Sequence, residues 1–337
     1  MSGILFATHG ATSADGAGRL AALVASRLGV TITTACVLEP PRMLDGGFAP
    51  PYVPTPEEIE AVRSSFRALV AEQMRRCGVT GTLQMRTGSA PMEIAMAARE
   101  MDADLVVLGL GRHGIIDRAL GSETALQLVQ IASVPVLAVP DGMTSLPKRI
   151  LAATDFSPTS VASTKATARW LTRGDVLHVV YVAGEWHGGF PLEQRVSVEN
   201  VLATLAARIA VPEGVVIEQR VVEGDPATRL LELATTTTAE LLVLGSHGYG
   251  FWKRLTIGSI ASKIIRLTHT AVYVTPIGCI GDEKASRGAA SSPGVGSWHR
   301  DDRSRAALAE AGESGSSTTP TARNFLRERF GCSPVNE

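Results

Sequence analysis

The chain has 337 residues, enough for two ordinary domains. Its formal net charge is −1 and its aromatic content 5%, so it offers nucleic acid neither a basic field nor stacking platforms, and it offers an anionic membrane no charge attraction. Apolar residues at 45% and charged residues at 19% are the balance of a soluble globular protein.

The N-terminal MSGILFATHG has no basic leader and too short an apolar run for a signal peptide. No apolar run approaches the ~20 residues of a membrane helix. Cys36, Cys77, Cys279 and Cys332 form no C-x-x-C pair and no zinc spacing. Cys36, in the run ITTACVL, reads as a reduced core residue, and the expected compartment is the cytoplasm.

In chain order, residues 4–8 (ILFAT) read as a buried strand, and 18–28 as a helix carrying Leu20, Leu23, Val24 and Leu28 at helical spacing. Residues 31–38 form a second strand. The Pro- and Gly-dense stretch 39–56 is loop. Thr55-Pro56-Glu57-Glu58 marks a helix start, with Thr55 as N-cap and a helix running to about Cys77. A strand near 81–87, a helix over 90–101 and strands at 104–109 and 135–140 follow.

The pattern then restarts. Arg149–Asp155 (RILAATD) echoes Gly3–His9 (GILFATH) at an offset of 146. Leu241–Gly245 echoes Leu105–Gly109, and Ala271–Pro276 echoes Pro135–Pro140, both at 136. An insertion of ten residues within 39–56 of the first copy reconciles the two offsets, so the chain is an internal duplication. Strands that are continuous apolar runs alternating with helices imply parallel sheets covered on both faces, with right-handed crossovers. After about residue 280 the sequence turns Ser/Gly/Ala-rich, and 281–337 is expected to be a low-complexity, disordered tail. A brief amphipathic helix at 320–330 is an alternative for part of it.

The most informative stretch is Leu241–Arg266, LLVLGSHGYGFWKRLTIGSIASKIIR. A strand ends on Gly245, Gly248 follows after two residues, and Gly258-Ser259 follows nine later, opening a helix. Glycines at a strand-to-helix turn let the main chain approach a ligand, and a Gly-Ser helix start adds N–H donors, a positive dipole end and a hydroxyl. Such a site suits phosphate. The spacing G-x2-G-x9-G-S after a strand resembles the nucleotide signature of the ATP-binding branch of the universal stress protein family.

The resemblance implies two tandem five-stranded α/β sandwiches of the Rossmann-like, adenine nucleotide alpha hydrolase-like kind, at 1–141 and 147–278. In that family, paired units meet through their last strands, so this chain resembles a dimer in itself, or self-associates. The resemblance further implies ATP, with Mg²⁺ held through its phosphates, and a regulatory protein partner. By position, Asp155 and Val182 would hold the nucleoside and Gly245, Gly248, Gly258 and Ser259 the phosphates, with Thr154, Ser246 and His247 beside them among the ATP-binding residues. Asp155 has the alternative role of capping the helix that begins near Pro158. Lys253 and Arg254 either reach a phosphate or stand as a solvated pair.

The first copy departs from this pattern. It has His9 where the second has Asp155, and six residues instead of nine separate Gly114 from Gly121. A degenerate site at Gly111, Gly114, Gly121 and Ser122, kept for packing or regulation, is the expectation. Gly109-x-Gly111-x-x-Gly114 matches the dinucleotide fingerprint, but no acidic residue follows at the required distance, and the other copy does not keep the motif. No P-loop, no G-x-S-x-G elbow and no H-E-x-x-H is present. Catalytic machinery is therefore not expected, and a slow ATPase or a nucleotide-independent scaffold are the alternatives to an ATP-dependent regulator.

Overall fold

The computed structural model describes residues 3–39, 55–111, 115–186, 189–245 and 259–276, with main chain alone for 115–122 and 259. The expected tail at 281–337 lies outside them. The first half runs β1 (Ile4–Ala7), α1 (Asp15–Leu28), β2 (Ile32–Leu38), α2 (Pro56–Cys77), β3 (Gly81–Thr87), α3 (Ala90–Glu100), β4 (Leu105–Leu110), α4 (Ile115–Ile131) and β5 (Val136–Pro140). The second repeats it: β6 (Arg149–Ala153), α5 (Pro158–Ala168), β7 (Val176–Ala183), α6 (Leu192–Ala207), β8 (Val216–Glu223), α7 (Pro226–Thr236), β9 (Leu241–Gly245), α8 (Ser259–Leu267) and β10 (Ala271–Thr275).

The strands form one ten-stranded sheet in the order β3-β2-β1-β4-β5-β10-β9-β6-β7-β8. Each half is parallel throughout. The halves meet antiparallel at β5 and β10, in the register Val136↔Val274, Leu137↔Tyr273 and Ala138↔Val272. The pairing that the resemblance implied between units thus occurs inside one chain.

Alternation along each strand loads both faces. Leu5 and Ala7 pack with Leu126 and Leu128 of α4 on one side, while Ile4 and Phe6 pack with Leu20 and Val24 of α1 on the other. Each fully buried aliphatic or aromatic side chain contributes roughly 1.5–3 kcal/mol, which is why central strands read as unbroken apolar runs. The outer strands β3 and β8 are more exposed and carry charges such as Arg86, Glu218 and Arg220, which discourage further strand addition.

Local signals explain the helix starts. Thr55 Oγ1 accepts from the Glu58 N–H at 3.2 Å, and the Glu58 carboxylate accepts from the Thr55 N–H at 2.8 Å, a reciprocal capping box. α1 starts at Asp15, earlier than its apolar spacing predicts, after a single 3-10 turn at Thr12–Ala14. Gly18 inside it looks like a helix breaker, but a Cβ there would lie 2.9 Å from Cys77 Sγ, so the glycine permits close packing of α1 on α2. Cys36 and Cys77 are buried free thiols, each pushed up to about 11 first by burial. Cys279 and Cys332 lie outside the described residues.

Candidate functional site

In the second half the strand order reverses between β6 and β9, and in open α/β sheets ligands bind at the carboxyl ends flanking such a switch point. The segment leaving β6 is built by short hydrogen bonds. The Thr154 N–H donates to the Val180 carbonyl of β7 at 2.8 Å, and Thr154 Oγ1 accepts from the Phe156 N–H at 3.0 Å. Phe156 has φ +63°, a left-handed conformation that a bulky residue adopts only under constraint. Its ring stacks on Tyr181, with centroids 5.2 Å apart and planes 18° from parallel.

Asp155 divides its carboxylate between two roles. Oδ1 accepts from Ser157 N at 3.1 Å and from Ser157 Oγ at 2.6 Å. Ser157 Oγ in turn accepts from the Ser160 N–H at 3.2 Å, which makes Ser157 the N-cap of α5. Asp155 therefore braces the cap and does not serve as one. Its Oδ2 is buried and has no hydrogen-bond partner among the described residues. A buried acceptor left unpaired costs roughly 1–3 kcal/mol, and more when charged, so this atom calls for a donor.

Gly245 ends β9 beside this turn. A Cβ on it would lie 2.7 Å from Ser160 N, 2.9 Å from Thr159 Oγ1 and 3.0 Å from Ser160 Cα, all at the first turn of α5. Gly109 occupies the matching place in the first half, where a Cβ would lie 2.9 Å from Ala14 Cβ and 3.0 Å from Ala14 Cα. Both glycines are thus required for the strand to approach the helix that follows the first strand of its half. The side chain of Val182 is buried in the core, so any contact it makes with a ligand at the sheet edge is through its main chain.

Ser259 is the first residue of α8, as the Gly-Ser reading requires. Ser246, His247, Gly248, Lys253, Arg254 and Gly258 lie outside the described residues. Among the described residues, no group of three His, Cys, Asp or Glu side chains is placed to hold a metal ion. Sequence reasoning missed Ser157, Ser160 and the Phe156–Tyr181 stack. Only Ser157 before Pro158 was signalled, as an N-cap pattern.

The first half differs in the same region. Thr8 Oγ1 donates to Gln73 Oε1 at 2.7 Å, and Gln73 Nε2 donates to the Ala11 carbonyl and to Asp15 Oδ1 at 2.7 and 3.0 Å. Arg76 closes the network on Asp15 at 3.0 Å. Burial alone would raise the Asp15 carboxyl, but hydrogen bonds from Arg76 and Gln73 and the nearby guanidinium charges hold it below its ordinary value. Gly111 follows β4, and Gly114 lies outside the described residues. Gly121 and Ser122 fall inside α4, six and seven residues past its first residue Ile115, and do not open a helix as Gly258-Ser259 does. Their N–H groups are committed to the helix's own carbonyls.

The universal stress protein family model matches residues 1–140 and 147–276. A universal stress protein of Mycolicibacterium smegmatis is 29% identical over 290 residues, covering 81% of this chain and 96% of that protein. One from Mycobacterium tuberculosis is 30% identical over 191 residues, 51% of this chain and 59% of that protein. Among solved structures, a universal stress protein from Archaeoglobus fulgidus superposes with a TM-score of 0.60 at 20% identity, over 82% of this chain and 97% of that one. A putative universal stress protein from Pseudomonas aeruginosa gives 0.57 at 16%, over 85% and 98%. These structural likenesses are of fold. No helix among the described residues is long and apolar enough to cross a membrane.

Proposed function

We propose that this chain, which belongs to the universal stress protein family, binds ATP in its second half and acts as a nucleotide-dependent regulator in a stress response. One observation carries the reading: Oδ2 of Asp155 at the switch point is buried and has no partner among the described residues. An exocyclic amine or a ribose hydroxyl is the kind of donor that would satisfy it. The main chain of Gly245 and of Ser259 at the start of α8, together with Ser246, His247, Gly248 and Gly258, would supply amides to the phosphates. Mg²⁺ would be held through those phosphates, where it neutralises charge. The Thr154–Ser157 turn, fixed by four hydrogen bonds, keeps the acceptor in place before any ligand arrives. Nucleotide then acts by favouring one conformation or partner, in proportion to its differential affinity for the two states.

The test is mass spectrometry of the small molecules that remain on gently purified protein, followed by calorimetric titration with ATP. Co-purified adenine nucleotide and a saturable titration support the reading. Empty protein and no heat on adding ATP would overturn it. A turnover above buffer that disappears in Asp155→Ala would make the nucleotide a substrate instead.

A further inference from the structure

The first half opens a cavity of about 290 Å³ at its own switch point, where β1 and β4 part company. Strand register and loop position equate it with the site just described. Thr8 stands where Thr154 does, His9 for Asp155, Ala14 for Ser160 and Gly109 for Gly245. The chemistry of its lining is different.

The walls are apolar, with Val37 from β2, Val62 and Phe66 from α2, and Ile94 from α3. Val62 is left 51% exposed, hydrocarbon that an occupant would take out of water. Among the described residues no lysine or arginine lines the cavity; its polar side chains are Thr8, His9, Ser13, Thr124 and the carboxylate of Glu39, just past β2. Glu39 Oε1 accepts from the Ala90 N–H at 2.8 Å, which fixes the group at the rim. Arg63, next to Val62 on α2, is turned to Thr87 Oγ1 at 3.4 Å and is not part of the wall. The Thr8 hydroxyl is spent on Gln73, and Gly121-Ser122 falls within the run of α4 and does not open it. Among the described residues, the cation and the Gly-Ser helix start that would welcome a polyphosphate are both lacking here.

We infer that this cavity is a second, separate binding site, for a small organic amine with an apolar body and not for a nucleotide. The ammonium group meets Glu39 at the rim, and the hydrocarbon body lies against Val37, Phe66 and Ile94. Size agrees, because an apolar cavity of about 150 Å³ already holds benzene, and twice that volume takes a ring with a short side chain.

The experiment uses the full chain with three probes: 2-phenylethylamine, its neutral counterpart 2-phenylethanol, and ATP. Isothermal titration should find one saturable amine site per chain, with amine bound equally well in the presence of ATP. Glu39→Gln, which keeps a carbonyl oxygen for the Ala90 N–H, should weaken the amine about fivefold, as expected for losing an exposed ion pair, and leave the alcohol unchanged. Ala90→Phe, whose ring enters the cavity, should abolish both, with thermal unfolding checking that the variant is folded. No amine binding to the wild-type chain would overturn the inference. So would equal effects of Glu39→Gln on the two probes, or ATP displacing the amine. If Ala90→Phe does not fold, the Glu39→Gln comparison decides alone. Failure of ATP to bind anywhere would remove the proposed function of the second half and leave this site standing.

Discussion

Asp155→Asn separates the two roles of one carboxyl group. The amide keeps an oxygen to accept from Ser157 N and Oγ, now at 3.1 and 2.6 Å, so the cap of α5 survives. The other position becomes an NH₂ donor facing whatever donors a ligand presents. A hydrogen bond to a charged acceptor contributes roughly 1.5–3 kcal/mol, and a loss of about 2 kcal/mol weakens binding about 30-fold. At an ATP concentration 100 times the wild-type Kd, ligand stabilises the native state by about 2.7 kcal/mol, and the same concentration stabilises the variant by only about 0.9 kcal/mol. Without ATP the variant should unfold close to the wild-type temperature, since the bonds to Ser157 are kept and only the unpartnered oxygen is exchanged. The assay is thermal unfolding of both proteins with and without ATP. An ATP-induced shift of equal size in both would refute the assignment of Oδ2 to the ligand.

Gly245→Ala and Gly109→Ala should each cost about 1–3 kcal/mol in urea unfolding, because the added carbon meets main chain or a packed Cβ that cannot swing aside. A cost near zero in either would refute the packing argument. Gly248→Val, outside the described residues, should abolish ATP binding with an unchanged circular dichroism spectrum; retained binding would remove the loop from the site. Asp225 caps α7, and hydrogen bonds from the Thr228 side chain and Lys263 lower its carboxyl from 3.8 to about 2. A folded-state value below the unfolded one stabilises above pH 3.8, and that contribution is lost as pH falls from there to about 2. Asp225→Asn should therefore flatten the stability profile between those values, and an unaltered slope would count against it.

Much of the frame was legible because it rests on local rules. Thr55-Pro56-Glu57-Glu58 announced α2 to the residue, and the repeated strand ends gave the duplication. α5 is a harder case. Its sequence PTSVASTKATA reads as polar, yet Ser163, Thr164 and Thr167 are fully buried. Their hydroxyls donate back to the carbonyls of Thr159, Ser160 and Ser163, so polarity in the sequence is silenced inside the helix. The expected ligand contact at Gly245 concealed a packing requirement, visible only once Ser160 stood against it. The division of Asp155 between a cap and an orphaned oxygen depends on rotamer and burial, which spacing does not encode. The Thr8–Gln73–Asp15 network joins residues about 60 positions apart and has no periodic signature.

The antiparallel seam at β5 and β10 sets the traffic through the molecule. Because it inverts one half relative to the other, the mouths of the two switch points look out from opposite ends of the sheet, and no single small molecule can bridge them. News of an occupant in one mouth has to cross the junction between the halves, through the β5–β10 ladder, the Arg266–Glu123 contact of α8 with α4, or the bonds from Arg27 to the Arg169 and Leu171 carbonyls. Under the proposed function, a partner docked at one end would answer to a nucleotide at the other without ever meeting it.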